Sequence, residues 1–510
     1  MLKTLIRREL LDNLMTFRFA AAVFITLLLV VANTLVLLKD YEQRLTAYNT
    51  AVQESHEELR EEKTYSGYSG ILTVHRPPNP LSIFNLGLDK QVGNKIGAYH
   101  AFVPTIWDAE KHGADNPFLS LFTSIDIVLV FQGVLSLLAL IFAYDALAGE
   151  RERGTLRLVL THPIQRGYIL FAKYISAMLC LLVPLLISLL LSIILLTTST
   201  TMSLSSDDFL RIGGIVLTSL LYVSLFYLIG LCISALTRRT STALMLCMFV
   251  WGVLVLVYPN LILTAVDIVP KPETQISVYH QIKQMWEKLD KENKQFIRND
   301  AVLSPPSRGG EDMDAGFGLE GVEYTFWEDE DQPSILLYFH QTGLYAGKIK
   351  AESEPQVPHV QNYYNFYNRE TINTVERTWL VRKPALEAIY VQPANLGRML
   401  LRFSPGGLYD AATEAWAGTD LEGIQDFFST VQRYRRAVVD YFYDKKIFES
   451  RQWFAADQGT ANWDALPQFS FQRSDTGINA KRALPDMLLL LTMNVILFTV
   501  IVLIFIKSEV

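Results

Sequence analysis

Histidine, cysteine and carboxylate side chains carry most metal, redox and acid–base chemistry, and this chain has all three. Their spacing points away from such chemistry. His56, His75, His100, His112, His280, His340 and His359 are scattered, and no His-Glu-x-x-His pattern occurs. Cys180, Cys232 and Cys247 all fall inside apolar runs, where a thiol reads as a small core residue. Gly67-Tyr68-Ser69-Gly70 is one residue short of a nucleophile elbow. The acidic run Glu328, Asp329, Glu330 and Asp331 lacks the spacing of a calcium loop and reads as a solvated turn. No Gly-x-x-x-x-Gly-Lys-Ser/Thr loop exists to cradle phosphates, so ATP hydrolysis is not expected of this chain. A net charge of −7 argues against nucleic acid as a partner.

The residues that remain suggest mechanical rather than covalent work. Residues 144–173 hold Asp145, Glu150, Arg151, Glu152, Arg153, Arg157, Arg166 and Lys173 between two long apolar runs. Charge of that density lies in water or at the headgroups. Gly154 offers a hinge, and Leu156, Val159 and Leu160 recur at helical spacing after it. Pro163 ends that pattern; His162 precedes it. A short amphipathic helix held between two spans is placed to pass force into the membrane.

The elements that position this stretch are apolar runs at 19–38, 119–143, 174–197, 212–236, 243–266 and 485–506. Each is long enough for a hydrocarbon core of about 30 Å. Residues 1–18 read as a helix lying in the membrane surface, with Leu2, Leu5, Ile6, Leu10, Leu14 and Phe17 on one face. The alternative, a cleaved signal peptide, fits poorly because 19–38 is long for its apolar core. Lys and Arg in the short loops set the orientation. They gather in 1–18, in 144–173, in the loop 237–242 and in the tail 507–510, all then cytoplasmic. The loop 198–211 and the segments 39–118 and 267–484 are then outside.

The 144–173 stretch resembles the coupling segment of ABC-2-type transporter permeases. The matching residues are Glu150, Glu152, Gly154, Thr155, Leu156, Leu160, Pro163, Arg166 and Lys173, placed between the second and third of six spans. The N-terminal helix resembles that family's elbow helix. Ser404, Pro405, Ala417, Gly418, Thr419 and Asp420 resemble a pattern in a subgroup with enlarged outer domains. The resemblance implies an α-helical polytopic membrane protein, type V exporter-like, with a mainly helical α+β extracytoplasmic domain. It implies a permease in the bacterial inner membrane that exports cargo or extracts it from the bilayer. Two cytoplasmic ABC ATPase subunits, which bind the ATP and Mg, would drive it; this chain would hold no cofactor. A second permease copy or a sister permease would complete the assembly, with a possible extracytoplasmic partner or cargo protein. Glu150, Arg151, Glu152 and Arg153 would be the docking edge, and Gly154 the hinge. Thr155, Leu156, Leu160 and Pro163 would form the pushed helix, with Arg166 and Lys173 as headgroup anchors. The competing class is a multi-pass membrane-anchored scaffold or sensor without transport. An external membrane enzyme is disfavoured by the missing catalytic constellations.

Three polar residues inside the apolar runs are candidates for the substrate path: Asp126, Gln132 and Asn494. For Asp126 the plainer reading is an interface position, and for Asn494 an interhelical hydrogen bond. Outside, Leu38, Tyr41, Leu45, Tyr48, Val52 and Leu59 continue the first span as a stalk whose glutamates face solvent. Residues 65–117 read as loops and short strands, and 303–318 as a Pro- and Gly-rich linker. EYTF and SILLYF, within 322–350, are β-like. Residues 273–300, 360–395 and 421–447 are helical, the last with an apolar face from Ile424 to Phe442. Pro405 should open a helix, Gly418 end it, and Thr419 or Asp420 cap the next.

Overall fold

The structure is a computed structural model that describes residues 2–110, 125–155, 166–267, 274–303, 310–318, 321–329, 349 and 351–507. Among these residues, six helices are long and apolar enough to cross a bilayer. The chain is therefore an α-helical polytopic membrane protein, as its six apolar runs predict. Helix α1 (Leu2–Leu14) precedes α2 (Phe17–Glu61), which carries the first span and the stalk in one 45-residue rod. Thr16 separates them: its hydroxyl accepts from the Phe19 amide, so the surface helix ends before residue 17.

The second span, α3, runs through Ile127–Val130, a wide turn at Phe131–Leu135, and Ser136–Ala143. Among the described residues it begins at Ile127, with Asp126 as its N-cap; residues 119–124 lie outside them. After α4 (Ala148–Glu152) come α5 (Arg166–Thr198), α6 (Ser206–Leu236) and α7. Helix α7 comprises Thr240–Trp251, a wide turn at Gly252–Val257, and Tyr258–Asp267. The sixth span is α13 (Thr476–Lys507). These helices overrun the expected spans at several ends, since hydropathy marks only the apolar part of a helix whose polar turns continue it. Leu37, Phe131, Leu140, Leu185, Tyr222 and Phe226 belong to one core that joins α2, α3, α5 and α6.

Between the fifth and sixth spans lie α8 (Thr274–Asn299), α9 (Val357–Leu386), α10 (Gln392–Leu401), α11 (Pro405–Ala417) and α12 (Leu421–Asp444). On α12 the expected face is buried: Ile424, Phe427, Phe428, Val431, Val438 and Phe442. Ser404 caps α11 with Pro405 at its first turn, Gly418 ends it at φ +70°, and Asp420 caps α12. A small antiparallel pair, β1 (Thr73–His75) with β2 (Lys95–Gly97), packs against α12 through Val74 and Ile96.

Two expectations are corrected. Residues 310–318 are not linker. They form β3 (Gly310–Gly318), paired antiparallel with β4 (Gly321–Asp329) from Gly310↔Asp329 to Gly318↔Gly321. Met313, Ala315 and Phe317 alternate with polar or small residues, a period of two that the glycine content hides. EYTF falls in β4, as do Glu328 and Asp329; SILLYF lies outside the described residues.

The second correction concerns α10 and α11, which the apolar runs place wholly within the outer segment 267–484. They form a helical hairpin packed among the spans. The Ser404 hydroxyl donates to the Leu254 carbonyl at 2.9 Å, and Tyr258 donates to the Leu400 carbonyl at 2.8 Å. Leu408 packs on Leu225 and Leu490, and Tyr409 stacks on Tyr222 with centroids 4.4 Å apart. Gly214 on α6 allows the approach, because a Cβ there would overlap the Trp416 indole. Helix α11 is too short to read as a span, and α10 is the polar-flanked end of the rod that begins at α9 and runs on through a wide turn at Glu387–Val391, so hydropathy passes over both.

Candidate coupling site

Helix α4 is only five residues long, and a helix that short is marginal without outside support. Its first amides are satisfied from α6: the Ser234 hydroxyl accepts from Leu147 N at 3.0 Å and Ala148 N at 2.9 Å. Its three charged residues then reach three different helices. Glu150 pairs with Lys173 on α5 at 2.7 Å, and Lys173 also pairs with Glu9 on α1 at 3.1 Å. Lys173 is only 5% exposed, so this is a buried carboxylate–ammonium–carboxylate bridge. Arg151 donates to the Ala235 and Thr237 carbonyls at 3.1 and 2.8 Å, filling the open C-terminal end of α6. Glu152 accepts from the Thr240 amide at 3.0 Å and its hydroxyl at 2.8 Å, which caps the N-terminus of α7.

The turn before α4 is tied as well. Asp145 pairs with Arg18 at 2.8 Å, and the same guanidinium donates to the Tyr144 hydroxyl at 2.8 Å. One short helix is thus fastened to α1, α5, α6 and α7, and its lead-in turn to α2. Beyond it, Arg153, Gly154 and Thr155 are exposed, and Gly154 stands at φ +75°, a conformation that favours glycine. Thr155 donates its hydroxyl to the Glu150 carbonyl at 3.2 Å. Leu156, Leu160 and Pro163 lie outside the described residues, as does the side chain of Arg166, whose backbone opens α5.

The expected docking edge therefore divides in two. Glu150, Arg151 and Glu152 are engaged within the chain, and Lys173 is a buried tie rather than an exposed anchor. Glu152 is exposed although tied to Thr240, and Arg153 to Thr155 continue the exposed part. Sequence reasoning missed Glu9, Ser234 and Thr240, whose separation from α4 gives no local signal. Glu9, an acidic residue on the leucine-bearing side of α1, was the one hint.

The three substrate-path candidates are not brought together. Asp126 accepts from the Leu129 and Leu86 amides at 2.6 and 2.8 Å, a capping role at the start of α3. Gln132 is buried one turn further, and its carbonyl accepts from the Tyr222 hydroxyl at 3.2 Å. Asn494 on α13 accepts from Ser224 at 2.6 Å and donates to the Leu221 carbonyl at 3.0 Å, which joins α13 to α6. A charged pair that was not singled out bridges the α10–α11 turn to the sixth span: Arg402 lies 2.7 Å from Asp486. An aspartate beside Pro485 in an apolar run was the available signal.

The comparisons with known proteins agree with this architecture. A family model described as ABC-2 family transporter protein matches residues 4–300. A second, described as a domain of unknown function (DUF3526), matches 392–472, starting at α10. A probable ABC transporter permease protein NosY from Stutzerimonas stutzeri is 34% identical over 130 residues, which cover 26% of this chain and 47% of that protein. The protein of the same name from Pseudomonas aeruginosa is 46% identical over 54 residues, covering 11% of this chain and 20% of its own length. The chain thus spans about half the length of the first of these relatives.

Proposed function

We propose, from the premise that this chain belongs to the ABC-2 family of transporter proteins, that it is a membrane permease driven by a separate ABC ATPase. The ATPase docks on Arg153, Gly154, Thr155 and the residues that follow. ATP and Mg are held by that partner. Two ATPase chains serve two permeases, either two copies of this chain or one copy with a sister permease. The chain lies in the inner membrane with both termini and α4 in the cytoplasm, and it moves or extracts cargo outward. The Lys and Arg bias of the loops supports that orientation.

The observation that carries the reading is the fastening of α4. Ions and caps link it to α1, α5, α6 and α7 within 3.2 Å. A push on the exposed edge is therefore delivered to four helices at once and not absorbed by a loose loop. Charge reversal at Arg153 tests the docking edge, since the side chain is exposed and its loss leaves the folded chain intact. Arg153→Glu should weaken retention of the ATPase by about tenfold while the thermal midpoint stays put. Equal retention by the variant and the parent protein would place the docking surface elsewhere.

A further inference from the structure

At the other end of α6 the chain forms a half-open cavity of about 650 Å³. Arg211, on the second turn of α6, lines it, whereas α4 grips that helix at Ala235. The two places are about 36 Å apart at 1.5 Å per residue. The cavity also meets Tyr41 on α2, Arg76 in the turn after β1, and Arg473 just ahead of α13. Tyr41 lies just past the apolar part of its helix, so the cavity sits at headgroup depth.

Three guanidinium groups face this space, and they are not equally matched. Arg76 is paired with Asp89 at 2.6 Å, and Arg473 with Asp208 at 3.0 Å. Asp89 also serves Arg44 at 2.7 Å. Arg211 is 4% exposed and finds uncharged acceptors: Nη2 donates to the Ser474 carbonyl at 2.6 Å and Nε to the Thr476 hydroxyl at 3.4 Å. Its Nη1, together with Nε of Arg76, is buried with no acceptor in the protein. Asp207, at the rim, is exposed. Asp208 and Asp89 are committed to other arginines, and Asp207 and Asp475, which also act on Arg211, are exposed to solvent. A buried cation so weakly compensated is costly, and an anion in the cavity offsets that cost. The planar fork of arginine suits the oxygens of phosphate.

We propose that this cavity binds a phosphate group, with Arg211 as its main ligand and Arg76 beside it. The phosphate is the phosphodiester of a lipid headgroup or a free phosphate. Leu45, Ile424 and Phe471 add an apolar wall that suits the glycerol end of a lipid. This binding needs no ATPase and stands apart from the transport reading.

The test uses the full chain, delipidated in a phosphate-free detergent. Calorimetry follows binding of dihexanoyl phosphatidylglycerol, inorganic phosphate and, as a control, dihexanoylglycerol. The parent protein should bind a phosphate-bearing ligand and ignore the control. Arg211→Gln should weaken that binding by about tenfold or more, and Arg211→Lys should recover part of it. Binding of phosphatidylglycerol alone assigns the site to a lipid headgroup, and equal binding of inorganic phosphate assigns it to free phosphate. If Arg211→Gln is unstable, Arg211→Lys must still bind measurably more weakly than the parent. No phosphate-dependent binding, or equal affinity in parent and variants, would mean that water alone satisfies these donors and would overturn the proposal.

Discussion

A charged residue is legible in a sequence, but its partner is not. The run Glu150 to Arg153 stands out because it interrupts apolar chain, and on that ground it reads as an edge for another protein. In the fold, Glu150 turns to Lys173, which also holds Glu9, while Arg151 turns to the end of α6 and Glu152 to the start of α7. The partners lie up to 164 positions apart in the chain, and no periodicity records such contacts. His100 gives the same lesson between the first and second spans. It reads as one scattered histidine, yet it is buried, with Nδ1 2.6 Å from the Tyr68 hydroxyl and its carbonyl accepting from Arg435 at 2.8 Å. Burial, reinforced by the Arg435 guanidinium, pushes its pKa down to about 3. The unfolded chain takes up that proton near pH 6.5 and the folded chain does not. The stability that a neutral His100 provides is therefore complete above about pH 6.5 and declines as pH falls toward 3. The decline should approach about 1.4 kcal/mol per pH unit within that window. Denaturant titrations from pH 7 to pH 4 should show a shallower pH slope for His100→Gln than for the parent. An unchanged slope would mean that His100 titrates alike in the folded and unfolded chains, and that its burial does not keep it neutral.

Elements were legible where one chain segment carries its own signal. The apolar face of α12, the Ser404-Pro405 start of α11, its Gly418 end and the Asp420 cap can all be read from neighbouring residues. What could not be read is where α10 and α11 lie. Their placement depends on complementary surfaces, above all Trp416 against Gly214 and Tyr409 against Tyr222. Trp416 is held from its other side, with Nε1 3.2 Å from the Met487 sulfur on α13, so it cannot simply swing aside. Gly214→Ala should therefore cost about 1–3 kcal/mol by overpacking. Trp416→Leu in the same chain should return part of that loss, a non-additive pair. Thermal unfolding of the two single variants and the double variant checks this. Strict additivity would mean that α11 does not rest on α6 at this point.

At the scale of the whole molecule, the six apolar runs carried the architecture. Lipid-facing helices need about 20 apolar residues whatever they pack against. The chain outside the spans was less legible because its core is assembled from distant pieces: Tyr65 and Tyr68 just past the end of α2, Tyr363 and Tyr364 on α9, and Phe442 and Trp453 beyond. The surroundings of α4 have the same non-local character, and there it has a mechanical consequence. The Glu9–Lys173–Glu150 bridge makes α1, α4 and α5 one unit, so motion received at Arg153 to Thr155 should reach the far ends of the spans. Neutralising the bridge as Glu9→Gln, Glu150→Gln and Lys173→Met removes the tie without leaving a lone buried charge. The direct test is a pulsed electron–electron distance between spin labels at Thr198, ending α5, and Leu263, near the end of α7, both exposed. It is measured with the ATPase bound, before and after trapping with ATP and vanadate. The parent protein should show a distance change on trapping that the triple variant loses while retaining the ATPase. The same change in both proteins would contradict the account.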